Sequence, residues 1–232
     1  VSDNAYSIAN EKFELTVGVP RDDIEDDNYG VYTPMMEAMG ESTALHKDER
    51  VSEAVKNGFT EKCYDGQPFF SENHKVGSIT YSNKGDAKLD AESFQAARQS
   101  IMSLKNEQGQ PLNIVPNMLL VPPALEKEAR MILEAELING TSNINKGLAE
   151  VVVWSQLADK PTQWYLLCTK RSLKPFIFQE RRKAKFTAMT RETDENVFMR
   201  SEYLYGVDAR DGVGYGFWQM AYGSTGTASS MG

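Results

Sequence analysis

The sequence is short of the residues that build covalent frameworks and membrane spans. Its 232 residues include only two cysteines and two histidines. Cys63 and Cys168 lie far apart with no CxxC neighbour, so we expect reduced thiols and no disulfide framework. No apolar run reaches the roughly 18 residues that a membrane helix needs. We therefore expect a cytosolic setting and no membrane partner.

Positive charge is also in short supply. The 25 Lys and Arg residues are outnumbered by 33 Asp and Glu, which gives a net charge of −8. This balance argues against a free-standing nucleic-acid binder, because such a protein needs a dominant basic surface to displace counterions. Hydrophobic residues make up 41% of the chain, which is ordinary for a globular protein. A chain of this length can bury a real core, as one large domain or two small ones.

Catalytic motifs are missing as well. His46 and His74 would need help from distant Cys or carboxylate residues to hold a metal, and we expect both at the surface. There is no GxSxG elbow and no Walker loop. The glycine run at 212, 214 and 216 has no following helix, so it indicates a bulge or a close backbone approach within a strand. We predict no catalytic residue, no metal site and no cofactor.

The hydrophobic pattern mixes helices and strands without regular alternation, which favours an α+β fold. Alternation predicts a strand at Phe13–Val19, and spacing of three to four residues predicts a long helix over Tyr29–Gly58. Two further helices are predicted over Leu89–Lys105 and Pro123–Ile138. The other predicted strands cover residues 118–121, 150–154, 163–168, 174–179, 186–190, 196–205 and 214–222.

Two charged stretches stand out. The acidic cluster comprises Asp22, Asp23, Glu25, Asp26 and Asp27, on a predicted helical turn. It is compatible with calcium, although we favour a solvated acidic face. The basic run over 170–185 allows three interpretations: a solvated face, a patch that meets an acidic segment of a neighbouring copy, or weak contact with packaged nucleic acid.

Several segments together resemble the major head subunit of Mu-like phages and prophages. They read PLNIVPNMLLVPPALEKEARMILEAELI, GLAEVVVWSQL, KPFIFQERRK and NVFMRSEYLYGVDARDGVGYGFWQMAYGS, with NGFTEKCYDGQPFF earlier in the chain. The similarity runs from Ala5 to Ser224 and is weakest at residues 71–88. It implies the HK97-like capsid fold, with a long spine helix, a peripheral domain and an axial mixed-sheet domain.

The resemblance also implies a domain order. Residues 1–59 are expected to form the peripheral strand and spine helix, 60–183 the axial domain, 184–217 the return to the peripheral sheet, and 218–232 a C-terminal strand and tail. In that family an N-terminal arm and an extended loop precede the strand at Phe13–Val19. We expect the arm and most of the loop to be absent here, which fits a sequence that starts at Val1 without a methionine.

The implied function is that of a capsid protein. Its first partner is itself, in hexamers and pentamers of an icosahedral shell around double-stranded DNA that it touches weakly and without specificity. Scaffold, protease and portal proteins are further expected partners. The expected location is the virion, with assembly in the bacterial cytoplasm. Two alternatives stay open: an encapsulin-like cage of the same fold, and a soluble hydrolase whose site the sequence does not reveal.

Two surfaces are assigned to contacts between subunits. The basic residues Arg181, Arg182 and Lys183 are expected to pair with the acidic cluster of an adjacent subunit, through Asp22, Asp23, Asp26 and Asp27. The loop over 139–147 is expected near the capsomer centre, with candidate contact residues Asn139, Gly140, Thr141, Ser142 and Asn143. In contrast, Phe176 and Phe178 are predicted to face the core.

Overall fold

A computed structural model of the chain describes residues 6–26, 30 and 32–228, without the side chains at 32, 33, 35 and 36. These residues divide into two compact units. Unit 1 takes in residues 6–7, 52–177 and 214–228, and unit 2 takes in the described residues of 8–51 and 178–213. In the structure the units change after residues 51, 177 and 213. The boundaries expected from the sequence, after 59, 183 and 217, each lie several residues further along the chain than these.

The elements of both units are as follows. The helices are α1 Arg21–Glu25, α2 Tyr32–Asn57, α3 Ala91–Met102, α4 Glu126–Leu133 and α5 Glu195–Arg200. The strands are β1 Glu11–Pro20, β2 His74–Val76, β3 Ile79–Tyr81, β4 Lys84–Gly85, β5 Met118–Val121, β6 Leu137–Ile138, β7 Thr141–Ser142, β8 Glu150–Val153, β9 Trp164–Leu167, β10 Phe176–Met189, β11 Glu202–Tyr215 and β12 Ala221–Ser224. Helices combined with mixed sheets confirm the α+β class. Among the described residues, no helix is both long and apolar enough to cross a membrane.

The sheet of unit 2 has three strands in the order β1-β11-β10. Strand β1 pairs antiparallel with β11, so that Phe13 lies opposite Ala209 and Leu15 opposite Val207. The alternation that predicts β1 is confirmed. The long helix is confirmed as well: α2 has 26 residues, about 39 Å at 1.5 Å per residue. Its predicted start at Tyr29, together with Val31 and the Met35 side chain, lies outside the described residues.

The main sheet of unit 1 has five strands in the order β4-β12-β9-β5-β8. Strand β5 pairs parallel with β8 and antiparallel with β9, and all four residues of β9 are buried. Continuous apolar runs are typical of strands covered on both faces. Helix α3 adds Phe94, Ala97 and Ile101 to the core. Its start is fixed by a capping box in which Asp90 accepts from the Ser93 amide and Ser93 Oγ accepts from the Asp90 amide.

An aromatic cluster fills the centre of unit 1. Phe70 packs so tightly that a Cβ at Gly58 or Gly223 would lie 2.8 or 2.9 Å from its ring, which explains glycine at both positions. Phe69 stacks on Tyr215 at 4.8 Å and contacts Phe176 at 5.1 Å. The predicted inward position of Phe176 is therefore confirmed. Phe178 is half-buried, as its alternation with exposed Ile177 predicts.

Helix α4 is shorter than predicted, because it ends at Leu133 and not at Ile138. The carbonyl groups in its last turn and just beyond it accept hydrogen bonds from groups further along the chain. The side-chain amide of Asn143 donates to the carbonyls of Ile132 and Ala135, both at 2.9 Å. These bonds terminate the helix, and Leu137, predicted on its apolar stripe, is 60% exposed.

Four strand predictions in the second half of the chain were wrong in extent or type. The strands predicted over 174–179 and 186–190 are one continuous strand, β10. The strand predicted over 196–205 is helix α5 followed by β11. There, Asn196 donates to the carbonyls of Met189 and Glu202 and so ties both ends of the α5 segment to the sheet. The strand predicted over 214–222 is interrupted by a 3-10 turn at Trp218–Met220.

Candidate inter-subunit surfaces

The acidic cluster lies mainly on α1 and its C-terminal end. The side chains of Asp22, Asp23 and Asp26 are exposed, and Asp27 lies outside the described residues. Carboxylates in the first turn of a helix face its partial positive charge, which accounts for the local conformation. None of the three exposed aspartates forms an ion pair with the described part of the chain. They are therefore free to meet a positive group from outside it.

The basic residues lie on the exposed part of β10. Arg181, Arg182 and Lys183 are all exposed. Arg182 Nη1 donates to Asp208 Oδ2 at 2.7 Å within the chain, whereas Arg181 and Lys183 form no ion pair with any described residue. The structure does not bring these residues together with the acidic cluster in one chain. Two of the three cations thus have no ion pair among the described residues, although the charge of Lys183 helps to lower the pKa of Glu180.

The predicted capsomer-centre loop is an ordered hairpin. Strands β6 and β7 pair antiparallel across Asn139 and Gly140, whose φ angles are 50° and 80°. Two positive φ values are the mark of a type I′ turn, for which Asn-Gly is the preferred sequence. Thr141 and Ser142 are exposed, while Asn143 turns back to cap α4 as described above. Four of the five predicted contact residues are thus presented outward, and the fifth stabilises the base of the hairpin.

Both histidines were wrongly expected at the surface. His46 Nε2 donates to Asp211 Oδ2 at 2.9 Å, and its ring stacks on Phe13 at 4.2 Å. Arg50 lies beside them, with Nε 3.5 Å from Asp211 Oδ1 and Nη1 2.7 Å from Glu11. A single His among charged residues of a helix gives no sequence signal for this cluster. The contacts of His46 and Arg50 with Asp211 and Glu11 attach α2 to the sheet within unit 2.

His74 is completely buried in unit 1, on a Trp218 ring at 4.2 Å. Its Nδ1 atom lies 2.6 Å from Asp65 Oδ2. Burial acts to raise the pKa of Asp65, but hydrogen bonds from His74, Cys63 and the Gln67 amide outweigh it and lower that pKa. Asp65 is therefore a half-buried carboxylate held in its charged form. The two cysteines are free thiols, as predicted.

Apolar side chains are exposed in unit 2. On α5, Phe198 is 80% and Met199 69% exposed, and they line a shallow depression with Glu192 and Glu195. Phe186 and Met189 of β10 are exposed as well. The apolar character of Phe198 and Met199 produced the erroneous strand prediction over α5. Sequence pattern alone does not distinguish an apolar residue that faces a core from one that faces solvent.

The glycine run in and after β11 accommodates close backbone contacts, as interpreted from the sequence. A Cβ on Gly212 would lie 2.4 Å from the Ala9 carbonyl oxygen, and one on Gly216 would lie 2.0 Å from that of Lys174. Among the charged residues that line the groove beside α2, Lys47 pairs with Glu180 at 2.7 Å and His46 pairs with Asp211. Each of these four side chains is paired with another of the four, which fits a structural role better than proton transfer.

The architecture defines an α+β protein of the HK97-like capsid fold. A solved procapsid of bacteriophage JBD30 contains a chain that is 36% identical and aligns over 97% of this chain and 55% of its own, with a TM-score of 0.54. The model of the family "Mu-like prophage major head subunit gpT" matches residues 1–88, 78–157 and 154–230. The chain belongs to that family.

Two curated relatives agree with this assignment. The major capsid protein of Escherichia phage Mu is 36% identical over 219 residues, which are 94% of this chain and 52% of that protein. The Mu-like prophage FluMu major head subunit of Haemophilus influenzae is 32% identical over 222 residues, 96% of this chain and 53% of that protein. This chain therefore spans about half the length of the curated relatives that it matches.

Proposed function

We propose that this chain is a shell-forming part of a major capsid protein, which assembles with itself into an icosahedral shell of hexamers and pentamers around double-stranded DNA. The observation that carries the proposal is its 36% identity to a procapsid chain over 97% of its own length. Unit 2, with the long helix and three-stranded sheet, has the role of the peripheral domain. Unit 1, with the five-stranded sheet, has the role of the axial domain.

The mechanism is geometric and needs no catalytic group. Each subunit buries modest area against each neighbour, and symmetry repeats the same contacts around the shell. The exposed apolar side chains on β10 and α5 support this role, because larger areas of exposed apolar surface on a protein mark interaction sites. Their partner is a second copy of this chain, which removes them from water when the subunits join.

Charge complementarity supports the same partner. Arg181 and Lys183 form no ion pair with a described residue, and neither do Asp22, Asp23 and Asp26. Guanidinium groups pair well with carboxylates at interfaces. The basic part of β10 in one subunit accordingly meets the acidic cluster of the next, while Arg182 keeps its pair with Asp208.

The hairpin of β6 and β7 lies at the capsomer centre in this account. A type I′ hairpin anchored by Asn143 is rigid at its base, and its exposed tip of Asn139, Gly140, Thr141 and Ser142 makes the contacts around the five-fold and six-fold axes. The net charge of −8 suits a container that avoids strong attraction to its DNA. Scaffold, protease and portal proteins complete the proposed assembly in the bacterial cytoplasm.

The test is charge reversal in a full-length protein that contains this chain. Arg181→Glu with Lys183→Glu should abolish or strongly reduce shell formation in electron micrographs, because two unpaired cations become like charges to the acidic cluster. The circular dichroism spectrum and melting temperature of the free subunit should not change. Lys127→Glu with Lys160→Glu is the matched control, since it alters net charge equally at two exposed lysines of unit 1. Normal shells from the first variant would contradict the proposed contact.

A further inference from the structure

A buried cluster in unit 1 has no part in the proposed shell contacts. One ligand atom each from Cys63, Asp65 and His74 lies within 4.8 Å of the other two. Cys63 Sγ is 3.1 Å from Asp65 Oδ1, and His74 Nδ1 is 2.6 Å from Asp65 Oδ2. Thiolate sulfur, carboxylate oxygen and imidazole nitrogen are the donors that divalent ions of the zinc class take from proteins.

A tight turn brings Cys63 and Asp65 together. The Cys63 amide donates to the Gln67 carbonyl at 2.9 Å, and the Gly66 amide donates to the Cys63 carbonyl at 3.0 Å. Gly66 has a φ angle of +79°, which only glycine adopts without strain. His74 then enters from the start of β2. The three donors are held by hydrogen-bonded backbone, which is what a preformed site requires.

The groups around His74 decide which of its nitrogens carries a hydrogen. The side-chain amide nitrogen of Asn83 donates to the carbonyls of Phe69, Trp218 and Ala221 at 2.8, 3.2 and 3.2 Å. The Asn83 side-chain oxygen must therefore be an acceptor, and it lies 3.1 Å from His74 Nε2. Since Nε2 also faces the Phe69 carbonyl at 3.2 Å, it bears a hydrogen and donates.

This arrangement directs Nδ1 towards the carboxylate. In a neutral imidazole with hydrogen on Nε2, the Nδ1 lone pair faces Asp65 Oδ2, and two electron-rich atoms at 2.6 Å need a cation between them. A proton on Nδ1, which makes the hydrogen bond to Asp65 described above, meets that need, and so does a metal ion in its place. A metal-bound histidine characteristically donates its other N–H to an oxygen atom, as Nε2 does here.

We propose that Cys63, Asp65 and His74 bind one divalent transition-metal ion of the zinc class. Tetrahedral ligands about 2.0–2.1 Å from zinc are separated from one another by about 3.3 Å, so the Asp65 carboxylate must withdraw from His74 by about 0.7 Å. The Asp65 side chain is 17% exposed, which gives it room to move and admits a water as fourth ligand. Binding displaces the thiol proton of Cys63 to solvent.

The bound ion would join the turn at Cys63–Gln67 to β2, on either side of Phe69 and Phe70. Those two rings are fully buried in the aromatic cluster of unit 1. A ligand that binds the folded state alone stabilises it according to its concentration and affinity. The metal should therefore raise the melting temperature of this unit in the absence of any shell.

Cobalt(II) titration of the metal-free chain tests the proposal. One equivalent of cobalt should produce visible d–d absorption and a near-ultraviolet thiolate-to-cobalt band, and zinc should displace it. Cys63→Ser should remove the thiolate band and weaken binding at least tenfold. Cys168→Ser, at the other buried free thiol, should leave both unchanged.

Asp65→Asn provides a second variant of nearly unchanged volume, which should weaken cobalt binding while the circular dichroism spectrum confirms the fold. Two results would overturn the proposal. One is a folded parent chain that takes up no stoichiometric cobalt, which would identify the cation between His74 and Asp65 as a proton. The other is a Cys63→Ser chain that binds cobalt as tightly as the parent. Neither readout depends on capsid assembly, so this proposal fails or stands apart from the proposed function.

Discussion

The two units are stabilised in different ways. Among the residues that the structure describes, the twelve largest fully buried side chains all belong to unit 1, and they include Trp164, Trp218 and Phe94. In the described part of unit 2 the buried apolar side chains are smaller: Val19, Met39, Val197, Val207 and Ala209. Ion pairs join α2 to the sheet there, and large apolar groups such as Phe198 face solvent. Unit 1 thus has a complete core, whereas unit 2 leaves large apolar side chains exposed, which the proposed contact with another subunit would bury.

The largest expected effect separates two phenylalanines. Phe94→Ala in unit 1 removes a fully buried ring and should lower the free energy of unfolding by about 3–5 kcal/mol. Phe198→Ala in unit 2 removes a ring that is 80% exposed and should change it by less than about 0.5 kcal/mol. Urea denaturation of the free chain measures both. Equal losses from the two variants would remove the distinction between the units.

A smaller effect distinguishes two aspartates within unit 2. Asp211→Ala leaves His46 without its buried acceptor and removes the negative charge that faces Arg50, and it should cost about 2 kcal/mol of unfolding free energy. Asp208→Ala breaks only the exposed pair with Arg182 and should cost less than about 1 kcal/mol. Thermal and urea unfolding of the two variants provide the comparison. If Asp211→Ala were as stable as the parent, the attachment of α2 to its sheet would depend on other contacts.

The smallest effect concerns an exposed pair of unit 2. The hydrogen bond from Lys47 lowers the pKa of Glu180, so this pair contributes stability above the unfolded pKa of the carboxyl and loses it as pH falls through the folded value. In Lys47→Met the pKa of Glu180 should rise towards its ordinary range, as followed by NMR titration. Lys183→Met is the control and should produce a smaller rise, because Lys183 acts on Glu180 through charge alone.

The sequence predicts the elements whose pattern is governed by burial on one face or on both. The strand at Met118–Val121 matches β5 residue for residue, and the long helix is located to within a few residues. These elements lie against a core, so the spacing of apolar residues records the packing directly. The resemblance to capsid proteins added the overall architecture, which no single motif indicates.

The errors arise where side chains from distant positions decide the outcome. Asn143 ends α4 from ten residues beyond its last turn, and Asn196 ties α5 between two strands. The helix and strand propensities of neighbouring residues give no indication of either hydrogen bond. The cluster of Cys63, Asp65 and His74 was missed for the same reason: its residues come from a turn and a separate strand, and their spacing matches no metal-ligand motif. Pairing of the basic β10 residues with the acidic cluster stays a prediction.

Hydrogen exchange of the free subunit and of assembled shells tests the central claim most directly. The account predicts that amides of β5 and β9 exchange slowly in both states, whereas amides of α5 and of the exposed part of β10 exchange quickly in the free subunit and slowly in the shell. Slow exchange of α5 and β10 in the free subunit, or exchange that assembly leaves unaltered, would contradict it.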